Sequence, residues 1–158
     1  MRSYFPVSAI ATVVLMSVVL YGCGTTGYGV GTSINYSYEP RVNFSEFKTY
    51  QWPESKQTYA RDPLVEANVR FVADRELASR GLTLKADQAD LLIWIGSEFN
   101  IGSYSPPYEL RTLTLNIARA DNKQLVWRGT AIGAINTGAT SDNLKTAVEG
   151  ILANFPPK

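Results

Sequence analysis

At 158 residues the chain has room for one domain, and 15 basic against 14 acidic side chains give it none of the net basic charge that marks a nucleic-acid binder. A single cysteine excludes an intramolecular disulfide framework. The lack of histidine removes the commonest general base, the Ser-His-Asp triad and histidine-ligated metal sites.

Residues 1–22 read as an export signal. Arg2 supplies the positive start, Phe5 to Leu20 is almost wholly apolar, and Leu20-Tyr21-Gly22 leads into Cys23. The apolar run is short against the roughly 20 residues that span a bilayer, which favours a cleaved signal over an anchor helix. The ending resembles the bacterial lipobox, in which the cysteine becomes the acylated first residue of the mature protein. Cys23 is therefore the expected lipid attachment site, carrying palmitate-type chains. Two or more chains hold a protein firmly where one does so only marginally. Gly24, rather than aspartate, follows the cysteine and resembles cargo sorted to the outer membrane. Residues 23–32 carry four glycines in the stretch Gly24–Gly31 and read as a flexible tether.

The folded domain is expected over residues 33–158. Ile34, Tyr36 and Tyr38 alternate with polar residues as a strand that ends at Pro40, and a second strand covers about Thr49–Trp52 before Pro53. Residues 54–61 read as loop. Asp62 as N-cap and Pro63 at the first helical position open a helix whose buried stripe is Val65, Val69, Val72, Ala73 and Leu77. Arg70, Asp74 and Arg75 are expected to face away from that stripe, and Gly81 to end the helix in the left-handed conformation. Leu82–Leu84 is a short candidate strand and Asp87–Asp90 a turn. Leu91-Leu92-Ile93-Trp94-Ile95 reads as a strand buried on both faces. Asn100–Pro107 reads as a loop.

Leu113, Leu115 and Ile117 then alternate with Thr112, Thr114 and Asn116 as a half-buried strand. A turn at Asp121-Asn122-Lys123 leads into a returning strand in which Leu125, Trp127 and Gly129 share a face. Ser141 is expected to cap a second helix with the stripe Leu144, Ala147, Val148, Ile151, Leu152 and Phe155, ended by Pro156-Pro157. This order predicts an α+β two-layer sandwich, one mixed or antiparallel sheet of about five or six strands with two helices packed on it.

Several of these stretches together resemble a family of bacterial envelope lipoproteins built on a domain of unknown function, number 4136. They are Phe44–Trp52, Glu76–Gly81, Ala89–Ile93, Asp121–Gly129 with its Leu-Val-Trp-Arg-Gly ending, and Val148–Pro157. The resemblance covers roughly Ile34–Pro157. It implies a periplasm-facing lipoprotein domain and carries no catalytic residue with it.

Several groups suggest binding or chemistry. Tyr50, Trp52, Trp94 and Trp127 lie on strands, where aromatic residues mostly fill the core but can also form a stacking platform for a glycan. Tyr104, Pro106, Pro107 and Tyr108 sit in the longest loop and are the candidate partner contact. Asp87 and Asp90 fit turn and strand-entry roles better than a carboxylate pair. Ser97, Glu98 and Arg128 read as solvated strand-face residues, with Arg128 able to stack beside Trp127.

The leading expectation is a non-enzymatic binding or assembly module, anchored in the bacterial envelope at the outer membrane and facing the periplasm. It has no catalytic residue, cofactor or metal. Its partners would be the membrane, through acyl chains, and an envelope protein or glycan, not nucleic acid. Two rival readings make different demands. An envelope hydrolase or glycan-modifying enzyme needs two carboxylates facing one cleft, and a carrier of a hydrophobic small molecule needs an apolar cavity of about 300 Å3 or more.

Overall fold

The computed structural model describes residues 31–53, 62–100, 109–138 and 141–157, and the backbone of 24–28. In chain order the elements are β1 (Gly24–Tyr28), β2 (Thr32–Tyr38), a single 3-10 turn (Phe44–Glu46), β3 (Thr49–Gln51) and α1 (Pro63–Ser79). They continue with β4 (Thr83–Leu84), β5 (Leu91–Phe99), β6 (Glu109–Arg119), β7 (Leu125–Asn136) and α2 (Asn143–Leu152). The strands form one sheet in the order β1-β2-β7-β6-β5-β3-β4. β3 runs parallel to β4 and β5, and the other pairs are antiparallel. α2 packs over β7, β2 and β6, with α1 beside it. This is the α+β sandwich expected from the residue pattern, with β1 as an additional strand. β1 lies in the stretch read as a tether, and its backbone pairs with β2 from Gly24↔Tyr36 to Tyr28↔Thr32. The pairing gives the outer edge of β2 hydrogen-bond partners it would otherwise lack.

α1 begins as its residues dictate. The Asp62 carboxylate accepts the Leu64 N–H at 2.8 Å, and Pro63 occupies the first turn, where its missing N–H is not needed. Val65, Val69, Val72, Ala73 and Leu77 are buried as a single stripe. Gly81, at φ +84°, takes the left-handed position that ends the helix. One expectation for this helix fails. Asp74 does not face away but reaches β3, where its Oδ1 accepts from the Tyr50 hydroxyl at 2.7 Å and from the Trp52 indole N–H at 2.8 Å. Arg70 lies over the Trp52 ring, 5.3 Å from its centre, and pairs with Glu66 at 2.6 Å. Burial, followed by the Asp74 carboxylate, holds the Tyr50 phenol well above its ordinary range. The helix stripe and the strand edge thus meet through one polar clamp.

α2 starts later than expected. Asp142 is its N-cap, and the Ser141 hydroxyl, one residue earlier, accepts the Asn143 N–H at 3.2 Å. Its stripe, Leu144, Ala147, Val148, Ile151 and Leu152, is buried as predicted, and Phe155 beyond it is buried too.

The core is organised around Trp127, which is 1% exposed. A Cβ added at Gly129 would lie 2.3 Å from Cη2 of Trp127 and 2.7 Å from Cγ2 of Ile151, so the ring occupies the space above Gly129. Phe155 meets Trp127 edge-on at 5.3 Å between centres, Phe44 meets Phe155 at 5.9 Å, and Tyr38 and Phe47 meet Phe44 at 6.4 and 6.1 Å. Aromatic pairs at such spacing and angle are worth about 0.5–1.5 kcal/mol beyond their buried area. This chain of rings joins the stretches around residues 44–47, 127–129 and 155, which lie far apart in sequence. Leu125 does not share the face of Trp127, because a register shift between Ile117 and Ala118 pairs Leu125 with Ala118 on the opposite face.

Asp90 ties the start of β3 to the start of β5. Its Oδ2 accepts from the Lys48 N–H at 2.8 Å, the Thr49 N–H at 2.9 Å and the Thr49 hydroxyl at 2.9 Å. The Lys48 hydrogen bond first, then the Thr49 hydroxyl and N–H and the charge of Lys85, hold the Asp90 carboxyl below its ordinary range, against a smaller opposing effect of desolvation.

Gly129→Ala should lower stability by about 1–3 kcal/mol, because the added methyl collides with a packed ring. A urea unfolding midpoint unchanged from the parent would show that the ring has room to move. Asp90→Ala should cost on the order of 1 kcal/mol, discounted for its exposure. A carboxylate whose folded pKa is depressed stabilises fully above its unfolded pKa and loses that contribution as pH falls through the folded value. The difference between parent and variant, followed by denaturant unfolding, should therefore be full at neutral pH and shrink below about pH 4. A difference that grows on acidification would contradict the assignment.

The uncovered face of the sheet as candidate functional site

Alternation along the strands separates two faces of opposite character. Leu91, Ile93 and Ile95 of β5, Leu113, Leu115 and Ile117 of β6, Trp127 and Ala131 of β7 and Ile34 of β2 all join the core beneath the helices. Leu92, Trp94, Ala118, Leu125 and Ile132 do not join it, although all are apolar. They belong to the other face, where Trp94 is 37%, Leu125 38% and Ile132 40% exposed, while Leu92 and Ala118 between them are buried. Of Leu91–Ile95, expected to be buried on both faces, Leu92 is buried on this side as well and only Trp94 is exposed. The run is continuously apolar, but only its odd-numbered members face the helices.

The strand registers fix the layout of the uncovered face. Trp94, Asn116, Arg128 and Ser37 lie side by side across β5, β6, β7 and β2. The next row holds Gly96, Thr114, Thr130 and Asn35, and the one beyond it Glu98, Thr112, Ile132 and Ser33. On the other side of the Trp94 row lie Leu92, Ala118 and Leu125. The polar groups are ordered. Arg128 donates from Nε to Oδ1 of Asn116 at 2.7 Å, and the Thr114 and Thr130 hydroxyls share a hydrogen bond of 2.9 Å. Asn116 is only 6% exposed, held between its neighbours. A Cβ added at Gly96 would meet nothing nearer than Cβ of Thr114 at 3.6 Å and Nδ2 of Asn116 at 4.0 Å. Gly96 therefore leaves a side-chain-sized notch on its strand next to Trp94, bordered by Thr114 and Asn116 of β6.

The residues singled out from sequence fall in different places. Trp127 and Tyr50 are core, Trp52 is half-buried against the Asp74 clamp, and only Trp94 stands on an open surface. Arg128 points away from Trp127 and toward Asn116, because neighbours in a strand face opposite sides; the expected stacking does not occur. Glu98 is exposed on the open face, while Ser97 lies beneath α1 beside Val65, Val69 and Ile95. Asp87 and Asp90 share no cleft, and Asp90 is engaged with β3. Cys23, residues 54–61, and the loop residues Tyr104, Pro106, Pro107 and Tyr108 lie outside the described residues. At the loop base, Asn100 donates from its backbone and side chain to Glu109.

Thr114, Asn116, Thr130 and Gly96 were not singled out from sequence. The signal was present in the alternation of Thr112, Thr114 and Asn116 with Leu113, Leu115 and Ile117, which declares one face of β6 polar. A second overlooked feature is the outer side of α1, where Leu64 and Phe71 are 73% and 70% exposed.

Among the described residues no cluster of His, Cys, Asp and Glu is suited to hold a metal ion, and no helix is long and apolar enough to cross a membrane. Between α1 and the sheet the opening measures about 10 Å3, room for a single water. A groove of about 420 Å3 lies at the end of the domain, lined by Tyr38, Val42, Phe44 and Pro156 among others.

Comparison with solved structures finds the same fold in proteins of unlike sequence. One is a PDZ domain protein from Parabacteroides distasonis, 15% identical with a TM-score of 0.58, over 79% of this chain and 35% of that one. The present chain thus spans about a third of that protein's length. Another is the PelC dodecamer from Paraburkholderia phytofirmans, 12% identical with a TM-score of 0.54, over 77% of this chain and 96% of that one. Comparison with curated proteins finds no match. The stretches that share the aromatic core and the two-layer sheet all fall inside one family model, which matches residues 34–157, and the chain belongs to that family, the Domain of unknown function (DUF4136).

Proposed function

We propose that the chain is a lipid-anchored, non-enzymatic binding or assembly module of the bacterial envelope, held through Cys23 at the outer membrane and facing the periplasm. The observation that carries this reading is the N-terminal order of Arg2, the apolar run Phe5–Leu20 and Cys23. The uncovered sheet face supports it from the other end, as a broad, pre-ordered surface with no helix over it. Carboxylates suited to chemistry are engaged elsewhere: Asp62 caps α1, Asp74 holds Tyr50 and Trp52, Glu66 pairs with Arg70 and Glu76 with Arg80. Among the described strand residues the open face carries Glu98 and, at the loop base, Glu109, whose carboxylate is engaged by the Asn100 side chain; a hydrolase needs two carboxylates on either side of its substrate. The opening between α1 and the sheet is water-sized, so the carrier reading finds no cavity there, and the groove of about 420 Å3 lies outside that layer, at the end of the domain.

The outer face of α1 favours assembly as the module's second task. Leu64 and Phe71 are seven residues apart and so stand two turns along one side of the helix. The PelC structure, which shares this fold, is a dodecamer, and self-association of the present chain through this side of α1 is proposed by the same token.

Mass spectrometry of the protein from bacterial membranes should find a mature chain that begins at Cys23 and carries two or three acyl chains. An unmodified chain that retains residues 1–22 would overturn the anchor. Sedimentation velocity should find a complex larger than a monomer that Phe71→Ser shifts toward the monomer; a parent chain that is monomeric throughout removes assembly and leaves binding.

A further inference from the structure

We propose that the uncovered sheet face binds an uncharged, β-linked glycan, with Trp94 as the stacking wall and the Gly96 notch as the seat of one sugar ring. This names the ligand class of the binding module proposed above and rests on that reading.

The layout of the face points to this chemistry. A protein interface concentrates apolar side chains at its centre and polar ones at its rim. Here the order is reversed. The centre, on β6 and β7, is Thr114, Thr130, Asn116 and Arg128, while Leu125 and Ile132 stand in the flanking rows. One aromatic ring amid hydroxyl and amide groups matches a sugar, which presents C–H patches on its ring faces and hydroxyls around its edge. The ring of Trp94 takes the C–H face, and the notch at Gly96 gives that sugar room beside it. Arg128 is exposed two strands away in the same row, about 10 Å from Trp94, and is held in place by the buried Asn116 between them. That places polar groups beyond the first ring, along a neighbouring sugar.

Charge and shape narrow the class. Among the described residues the charged strand residues on or bordering this face are Glu98, Glu109, Arg111 and Arg128, two of each sign, so neither a polyanion nor a polycation is favoured. The Nε donation to Asn116 is the only protein hydrogen bond of the Arg128 guanidinium among the described residues, which leaves its terminal N–H groups for hydroxyl or carbonyl acceptors. The Asn116 and Thr114–Thr130 bonds order the surface in advance, so less side-chain freedom is lost on binding. A β-1,4 glycan is a flat ribbon and can lie along a flat sheet, whereas a coiled α-linked glucan touches it at few points.

The test is calorimetric titration of the full-length chain in detergent with cellohexaose and with chitohexaose, and maltohexaose as the coiled control. At least one β-linked hexamer should bind, and maltohexaose should not. Trp94→Ala should weaken binding about tenfold, the value of one lost stacking contact. Gly96→Val, which fills the notch, should abolish binding. Both variants should keep the parent's unfolding midpoint within a few degrees, and Lys145→Ala on the helix side should bind as the parent does. Binding undiminished in both Trp94→Ala and Gly96→Val would overturn the proposal, and so would failure of both β-linked hexamers to bind. A photo-crosslinker placed at Thr114 in cells separates the two readings. Capture of a protein there overturns the glycan assignment and upholds the module reading. No capture and no glycan binding overturns both for this face.

Discussion

The packing of the Trp127 ring over Gly129 is the contact on which the rest of the domain depends. An indole lying along its own strand fits only if the residue two places on has no side chain, and the same ring then presents its edge to Phe155 and its neighbour to Ile151 of α2. α2 is held to the sheet by this contact, and the segment after α2 is held by Phe155 against Phe44. The buried indole N–H finds no acceptor among the described residues, a cost of about 1–3 kcal/mol that the ring's packing must exceed. The motif Leu125-Val126-Trp127-Arg128-Gly129 thus has a mechanical meaning: Trp and Gly serve the core, and Arg between them serves the opposite face.

A second set of contacts closes the other half of the molecule. β3 is only three residues long and could not hold its place by ladder bonds alone. Asp90 secures its beginning, and Asp74 secures its end through Tyr50 and Trp52. Both acids work by hydrogen bonding groups that would otherwise be left unpaired at a strand edge. Asp74 thus satisfies the buried Tyr50 hydroxyl and the half-buried Trp52 indole N–H, which keeps the cost of withdrawing them from water small.

With the helices all on one side, the sheet is left with a face that no described element covers. The same alternation that loads β5, β6 and β7 with aliphatic residues beneath the helices puts Thr, Asn, Arg and one Trp at the centre of the reverse, with Leu92, Ala118, Leu125 and Ile132 in the rows beside them. Neighbouring residues therefore serve different ends: Ile93 and Ile95 hold the fold together, and Trp94 between them is available to a partner. The outer side of α1, with Leu64 and Phe71, is a second surface with an apolar character that its position does not require.

By itself the sequence determined the elements with strong periodicity and local chemistry. Asp62, Pro63 and Gly81 bound α1, the stripes of both helices are buried as their spacing demands, and the α+β class follows from the order of elements. It also carries the pattern at Arg2, Phe5–Leu20 and Cys23, which is a matter of local composition and needs no fold. Only the tertiary structure decided what depends on which strands are neighbours. Trp127 and Trp94 both lie on strands and read alike in sequence, yet one is under a helix and the other in the open. A bulge moved Leu125 to the opposite face, and Asp74 turned inward to a strand more than 20 residues away. The physical reason is that periodicity reports which residues share a face, while register and helix placement decide what that face meets.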